Sequence, residues 1–348
     1  MARYALLLLP SANRVYAVAA AASLAQAELE LFSRRALGGS LGDLEPTTIA
    51  GVPYITFQAA AVDERAAAFL ANLSSGYALF EYGNGGLLRP VTLAPLDRYD
   101  DDLITIQKYH GKTNEQFTKL LLNATVLSSA FAGDMLSRKL TVLDPLCGRG
   151  TTLNQALMYG YDAAGLDLDR QDFDAYSAFI KAWLKRKRVK HHVGYDGPVR
   201  REGKVIARRL QVSLAATRDA YKAGVTQLLD VVNAPTERSA EFFRPASVDA
   251  IVTDAPYGVQ HGSRTAVKGL ARNPLDLLAA SVPVWAGLLR PGGAIGIAWN
   301  TLVARRQDAA QILADAGLEP QEDRPYLGFR HRVDQAIMRD ILVATKPA

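Results

Sequence analysis

Two stretches of this chain place residues where chemistry can be done. The first is Ser247-Val-Asp-Ala-Ile-Val-Thr-Asp254-Ala255-Pro256-Tyr257-Gly258, a hydrophobic run that ends in a carboxylate and then a proline–aromatic pair. Asp254 can accept one N–H of a planar base that bears an exocyclic amine. Pro256 disfavours the helical region at Ala255 and holds it extended, so the Ala255 carbonyl can accept the second N–H. Tyr257 offers a ring face on which the base can stack. The second stretch is Leu140-Thr-Val-Leu-Asp144-Pro-Leu-Cys147-Gly148-Arg-Gly150-Thr151-Thr152-Leu153. It reads as a strand ending at Asp144, a tight turn at Gly148 and Gly150, and a helix opening at Thr151. An open α/β sheet binds nucleotide-like ligands at such a place, and glycine lets the backbone come close because no Cβ intervenes. No Lys-Ser/Thr follows at phosphate-loop spacing, and Leu153 stands where a dinucleotide fingerprint has its third glycine. Asp144 suits an amino group and would repel a pyrophosphate. Asp167 lies 17 residues beyond Gly150 and can accept both hydroxyls of a ribose. Each feature alone also fits an ordinary strand-end turn; their order along one sheet is what joins them.

The elements that must position these residues follow from the hydrophobic pattern. Candidate strands at 140–144, 162–167, 227–232, 248–253, 293–299 and 337–345 alternate with helices. That alternation predicts a mostly parallel sheet covered on both faces, an α/β Rossmann-like domain. Residues 114–131, with Phe117, Leu120, Leu121 and Leu127 at helical spacing, predict a helix that enters the site. Ahead of it, strands are expected at 3–9, 52–60, 77–82 and 87–93, and helices at 15–36 and 62–73. Glu28 and Glu30 are read as facing outward. The pattern predicts a small α+β, ferredoxin-like domain. The expected division is an N-terminal domain at 1–100, a linker and helix at 101–135, and the catalytic domain at 136–348, with an insertion at 181–224.

Composition narrows the classes. The chain has 348 residues, a formal net charge of +5 and one cysteine, Cys147, so no disulfide can form within it. No His/Cys/carboxylate set has zinc-ligand spacing, and no metal is expected. Leu6 to Leu9 hint at a signal peptide, but Pro10, Asn13 and Arg14 interrupt the run. No segment approaches the length of a membrane span, and the cytoplasm is the expected compartment.

Taken together, these residues resemble the RNA methylase family within the larger group of amino-methyltransferases marked by Asp/Asn-Pro-Pro-Tyr/Phe. Asp144-Pro-Leu-Cys147-Gly148-Arg-Gly150-Thr151 is similar to the family's Asp-Pro-Phe-Cys-Gly-Ser-Gly-Thr turn, and Asp254-Ala-Pro-Tyr-Gly to its Asp-Pro-Pro-Tyr-Gly. Gly111-Lys-Thr-Asn-Glu resembles the entry to the family's helix beside the cofactor, and Leu289-Arg-Pro-Gly-Gly-Ala its turn before the fifth strand. The resemblance spans about residues 105–348. It implies an S-adenosyl-L-methionine (SAM)-dependent N-methyltransferase. Cofactor contacts are implied at Asp144, Cys147, Gly148, Gly150, Thr151 and Asp167, and target contacts at Asp254, Ala255, Pro256 and Tyr257. Members of this family that methylate guanine N2 in tRNA carry an extra N-terminal ferredoxin-like region, often with a THUMP domain. The first hundred residues here are too short for both modules. Ala255 replaces the family's first proline, Gln155 its usual glutamate, and Asn233 stands where an aspartate often contacts the adenine.

Between the Asp167 strand and the next strand, residues 181–209 hold ten lysines and arginines beyond Lys181, among them Lys185, Arg186, Lys187, Arg188, Arg200 and Arg201. Such a run is either a solvated face or a grip on RNA phosphates. Beside a base-binding site the grip is the expectation, with RNA, tRNA in particular, as the partner. The alternatives are a DNA adenine-N6 methyltransferase, which shares the Asp254 site, and an amide N-methyltransferase acting on protein or a small molecule.

Overall fold

In the computed structural model, residues 1–9, 11, 15–16, 20–109, 111–255 and 274–348 are described. The chain begins with β1 (Ala2–Leu8), α1 (Ala21–Ala36), β2 (Gly42–Ile49), β3 (Val52–Ala59), α2 (Glu64–Leu70), β4 (Gly76–Tyr82) and β5 (Leu88–Val91). These strands form one antiparallel sheet in the order β2-β3-β1-β4-β5. The alternation that predicts β1 and β3 is structural: Leu6 pairs with Ile55, Tyr4 with Phe57, and all four side chains enter the core. β2 is an edge strand whose sequence, Gly-Asp-Leu-Glu-Pro-Thr-Thr-Ile, has only Leu44 and Ile49 as large apolar residues, five positions apart, and a proline between them. That explains why the pattern does not reveal it. α1 starts at Ala21, later than expected.

The largest departure in this region is Glu28. It is fully buried rather than outward. Its carboxylate accepts the Ser74 backbone N–H at 3.0 Å, the Ser74 hydroxyl at 2.6 Å and the Asn123 amide at 2.7 Å. The Asn123 amide also donates to the Asn72 carbonyl at 2.8 Å, and its oxygen accepts the Tyr159 hydroxyl at 2.9 Å. Burial raises the Glu28 pKa above the ordinary carboxylate value, against these hydrogen bonds. Asn123 lies in the helix Glu115–Ser128 and Tyr159 caps the helix Thr151–Met158, both of which pack on the larger sheet, so this polar cluster ties the N-terminal sheet to the larger one. A continuous apolar core surrounds it, running from Leu6 and Phe32 through Leu120 and Met158 to Val343.

The rest of the chain is α3 (Asp102–Thr105), α4 (Glu115–Ser128), β6 (Thr141–Asp144), α5 (Thr151–Met158), β7 (Asp162–Asp167), α6 (Arg170–Arg186), β8 (Lys190–Arg201), β9 (Lys204–Ala215), α7 (Arg218–Lys222), β10 (Gln227–Asn233), β11 (Val248–Asp254), α8 (Pro274–Leu288), β12 (Leu289–Asn300), α9 (Arg306–Asp315), β13 (Glu319–Pro320), β14 (His331–Arg332) and β15 (Met338–Thr345). The sheet order is β13-β15-β12-β11-β6-β7-β10-β9-β8, with β14 paired to β15. β10, β7, β6, β11 and β12 are parallel, and β15 runs antiparallel against β12. This is the Rossmann-like arrangement of methyltransferases, and each of the six strands expected from the sequence is present. β11 is buried along Val248–Thr253, as a central parallel strand covered on both faces must be. The insertion is a β-hairpin, which periodicity does not reveal. β8 and β9 turn through Glu202-Gly203, both at positive φ, and β9 extends the sheet by pairing with β10.

Replacing Glu28 with alanine should strand the Ser74 N–H and one of the two Asn123 amide N–H groups without an acceptor. The expected loss is about 3 kcal/mol of unfolding free energy, read as a lower urea midpoint with an unchanged slope.

Candidate active site

The parallel strands converge on one rim. β6 pairs Asp144 with Gly165 of β7, and β7 pairs Asp167 with Asn233 of β10. On the other side Ile251 of β11 pairs with Leu143, and Asp254 with Ala298 of β12. Asp167 and Asp254 therefore extend beyond the end of β6, one on each side. The turn at 145–150 fills the slot between them, where the sheet order reverses direction along the chain. This is the switch point at which open α/β sheets bind ligands.

The turn is held from below. The Cys147 backbone N–H donates to the Leu166 carbonyl at 2.8 Å. Its side chain packs beneath Gly165, where an added Cβ would lie 2.9 Å from the sulfur. Burial pushes the Cys147 thiol well above its ordinary value, so it is a packing residue. Gly150 sits at φ +78, and a Cβ there would lie 2.3 Å from the Tyr176 ring. Its reason to be glycine is thus helix packing as much as ligand approach. Gly148, at φ +48, differs: nothing lies within 4 Å of where its Cβ would stand.

Asp144, expected to meet a ligand amine, is buried. It is 3% exposed, with Oδ1 accepting the Leu146 N–H at 3.1 Å. Burial raises its pKa to about 7, opposed by the Leu146 N–H and the Thr152 hydroxyl. Sealed under the turn, it organises the turn's backbone. Asp167 is partly exposed. Its two oxygens accept Gly148 N–H and Asp169 N–H, each at 2.7 Å. Burial raises its pKa to about 6 against those two bonds, with Asp172 and Asp169 adding to the rise. Asn233 uses its amide to hold the end of β7, donating to the Asp167 and Leu168 carbonyls at 2.9 and 3.0 Å. Thr151 lies 3.2 Å, oxygen to oxygen, from the Tyr109 hydroxyl.

On the far side of the turn, Asp254 is 15% exposed and its Oδ2 accepts the Thr113 hydroxyl at 2.7 Å. The Ala255 N–H continues the ladder to the Ala298 carbonyl at 2.8 Å. Pro256 and Tyr257 lie outside the described residues. Three neighbours escape the sequence reading: Tyr109, Arg149 and Arg339. The Arg149 guanidinium stacks 4.8 Å from the Tyr109 ring and pairs with Asp172 at 2.8 Å. Thr113 lies within the Gly111-Lys-Thr-Asn-Glu stretch, so a signal for it exists. Tyr109 and Arg339 have none, since they reach the rim from a linker and from an antiparallel strand.

The basic insertion does not act as one free patch. Lys187 pairs with Asp100 and Asp102 at 2.8 Å each, and Arg186 with Asp102 at 3.4 Å. Arg201 pairs with Glu241 at 3.0 Å, and Arg209 chelates Asp230. Lys185, Arg188, Arg200 and Lys204 are exposed and form no ion pair among the described residues. No helix among the described residues is long and apolar enough to cross a membrane.

A Rossmann-like sheet with a glycine turn at its switch point is the fold of SAM-dependent methyltransferases. Residues 135–288 match the family described as RMKL-like, methyltransferase domain. The ribosomal RNA large subunit methyltransferase K/L of Photobacterium profundum is 34% identical over 128 residues, which is 35% of this chain and 18% of that protein. The enzyme of the same name from Shewanella sp. (strain ANA-3) is 36% identical over 131 residues, 35% of this chain and 17% of that protein. The match thus spans under a fifth of these curated relatives. Among solved structures, TrmN from Thermus thermophilus aligns over 99% of this chain and 100% of its own, at 14% identity and a TM-score of 0.45. The cofactor of this domain is SAM. The rim fits it: the space above Gly148 is open, and the Asp167 carboxylate stands partly exposed beside it.

The pKa of Asp167 predicts a pH signature. Its folded value, about 6, lies above the ordinary 3.8, so the folded state keeps a proton that the unfolded chain has released. The contribution of Asp167 to stability therefore falls as pH rises from about 4 to about 6, by up to about 3 kcal/mol. The melting midpoint of Asp167→Asn, relative to the native protein, should climb across that window. SAM should raise the native midpoint more at about pH 7.5 than at about pH 5, because ribose hydroxyls donate best to an ionised Asp167. NADH should leave it unchanged.

Proposed function

We propose that this protein transfers a methyl group from SAM to an exocyclic amine of a base in RNA, with guanine N2 in tRNA as the specific target. The observation that carries the reading is Asp254: a partly exposed carboxylate at the end of β11, across the glycine turn from Asp167. Bound SAM supplies an activated methyl on a sulfonium, which leaves positioning as the protein's main task. Asp254 accepts an N–H of the target amine, and the Ala255 carbonyl accepts the other. Asp167 holds the ribose of the cofactor. Gly148 leaves room for its main chain to pass. Tyr257 stacks on the base.

RNA is favoured over DNA and over amides by three features. The family is described by its RMKL-like domain, and curated relatives of that segment are named for ribosomal RNA. An additional α+β unit precedes the catalytic sheet. Exposed cations at Lys185, Arg188, Arg200 and Lys204 lie on α6's end and the β8–β9 hairpin. A second reading, a ribosomal RNA target, draws on the names of those relatives. Single-stranded and junction bases of either RNA are the ones most easily extruded into such a site.

Asp254→Ala should abolish turnover while leaving SAM affinity within about twofold, by calorimetry, since the proposed cofactor contacts, Gly148 and Asp167, lie in the turn after β6 and at the end of β7. The product is identified with labelled SAM offered to unmodified tRNA, ribosomal RNA and duplex DNA. Label in N2-methylguanosine of tRNA is the expected result. Label confined to ribosomal RNA would replace the target, and N6-methyladenine in DNA would overturn the RNA reading.

The phosphate grip has its own test. Replacing Lys185, Arg188, Arg200 and Lys204 with glutamine should reduce the salt slope of RNA binding by roughly 3, close to the release expected for four phosphate contacts. Arg186 and Lys187 are left intact, because their loss would free Asp100 and Asp102 and disturb the fold.

A further inference from the structure

Behind Asp254 stands a buried cation. Arg339 pairs in register with Asn300 on β12, two residues past the Ala298 that faces Asp254. It is 6% exposed. Its guanidinium lies 3.7 Å from Asp254 Oδ2, the same oxygen that accepts the Thr113 hydroxyl at 2.7 Å. Arg339 also donates to the Tyr16 hydroxyl oxygen at 2.9 Å and stacks on the Phe117 ring at 4.5 Å. The chain of contacts continues one step further. Tyr16 Oη lies 3.2 Å from His331 Nε2, while His331 Nδ1 lies 2.8 Å from the Phe329 carbonyl. The carbonyl can only accept, so Nδ1 carries the hydrogen of a neutral ring and Nε2 accepts from Tyr16. Burial drives the His331 pKa down to about 4, consistent with that neutral ring. The result is a directed series: His331 accepts from Tyr16, Tyr16 accepts from Arg339, and Arg339 faces Asp254.

We infer that Arg339 is a positioning residue for Asp254, and that Tyr16, from the N-terminal unit, sets Arg339. This rests on the reading of Asp254 as the acceptor of the target amine. A carboxylate rotates easily about its last torsion, whereas in-line methyl transfer requires the amine lone pair to be aimed. A hydrogen-bond donor, Thr113, and a cation, Arg339, come from two different elements, act on one oxygen and select one orientation. Arg339 is itself long and flexible, and its place is fixed by Phe117 on one side and Tyr16 on another. Tyr16 belongs to the segment before α1, so the methyltransferase site is completed by a residue from outside the methyltransferase sheet. The N-terminal unit thus does more than meet the substrate: its seating decides whether the catalytic carboxylate is aligned.

The test compares Tyr16→Phe, Arg339→Lys, Arg339→Gln and Asp254→Ala in the full-length protein. The substrate is total RNA from a strain lacking the gene, with labelled SAM. Tyr16→Phe removes one hydroxyl and keeps the ring that packs on Phe117 and His331. It should lower kcat roughly ten- to hundredfold while the KM for SAM and the RNA affinity stay near native and the protein stays folded, with a lower melting midpoint because Arg339 and His331 lose a buried partner. Arg339→Gln should lower kcat further, and Arg339→Lys should restore part of it. If Asp254→Ala is inactive while Tyr16→Phe keeps kcat within about twofold of native, the inference is overturned and the Asp254 reading stands. If Asp254→Ala remains active, the reading beneath it fails instead. Should the Arg339 variants not fold by circular dichroism, Tyr16→Phe decides alone.

Discussion

Three carboxylates end three parallel strands on one rim, and keeping that much negative charge out of water is the constraint the domain is built around. Burial, with repulsion from neighbouring carboxylates, opposes ionisation of Asp144 and Asp167, and both pKa values are raised. The backbone answers with N–H groups: Leu146 on Asp144, Gly148 and Asp169 on Asp167. Those bonds shape the glycine turn, so turn and carboxylates are mutually dependent. Asp254 is answered differently, by a hydroxyl and a guanidinium. The side proposed to hold the cofactor is thus set by backbone, and the side proposed to hold the target amine by side chains drawn from distant parts of the chain.

The N-terminal unit meets the catalytic sheet through polar groups that have no alternative partner in an apolar core. Glu28 needs Ser74 and Asn123, and Asn123 needs Tyr159. An unmade hydrogen bond at such depth costs more than a made one contributes, so the cluster specifies one seating rather than simply adding stability. Tyr16 is carried to Arg339 by the same seating.

Counting cations overstates what the insertion offers to a phosphate. Lys187, Arg186, Arg201 and Arg209 are neutralised by aspartates and glutamates that lie far from them in sequence. Asp100 and Asp102 sit in the linker ahead of α4 and bind the end of α6, which anchors that linker across the rim. The hairpin is therefore first an extension of the sheet. Its candidate contact surface is the smaller set of exposed cations at its end and at the end of α6.

The catalytic sheet and the location of its rim are legible in the chain's apolar runs. Strands inside a sheet covered on both faces are buried on both sides, so the parallel β6, β7, β10, β11 and β12 and the antiparallel β15 stand out as short hydrophobic stretches. Asp144, Asp167 and Asp254 are visible because each ends such a stretch. Local rules reach that far and stop. β2 stays hidden because an edge strand needs no apolar face, and the hairpin because its register is set by a two-residue turn and by β10. Glu28 defies the outward reading because a charge is buried only when partners from other elements wait for it, and Ser74 and Asn123 are 46 and 95 residues away. Asp144 looks in sequence like a ligand contact, whereas packing beneath the turn seals it. Long-range folding alone brings Arg339 and Tyr16 to Asp254, since a contact across 323 residues of chain leaves no periodicity to read.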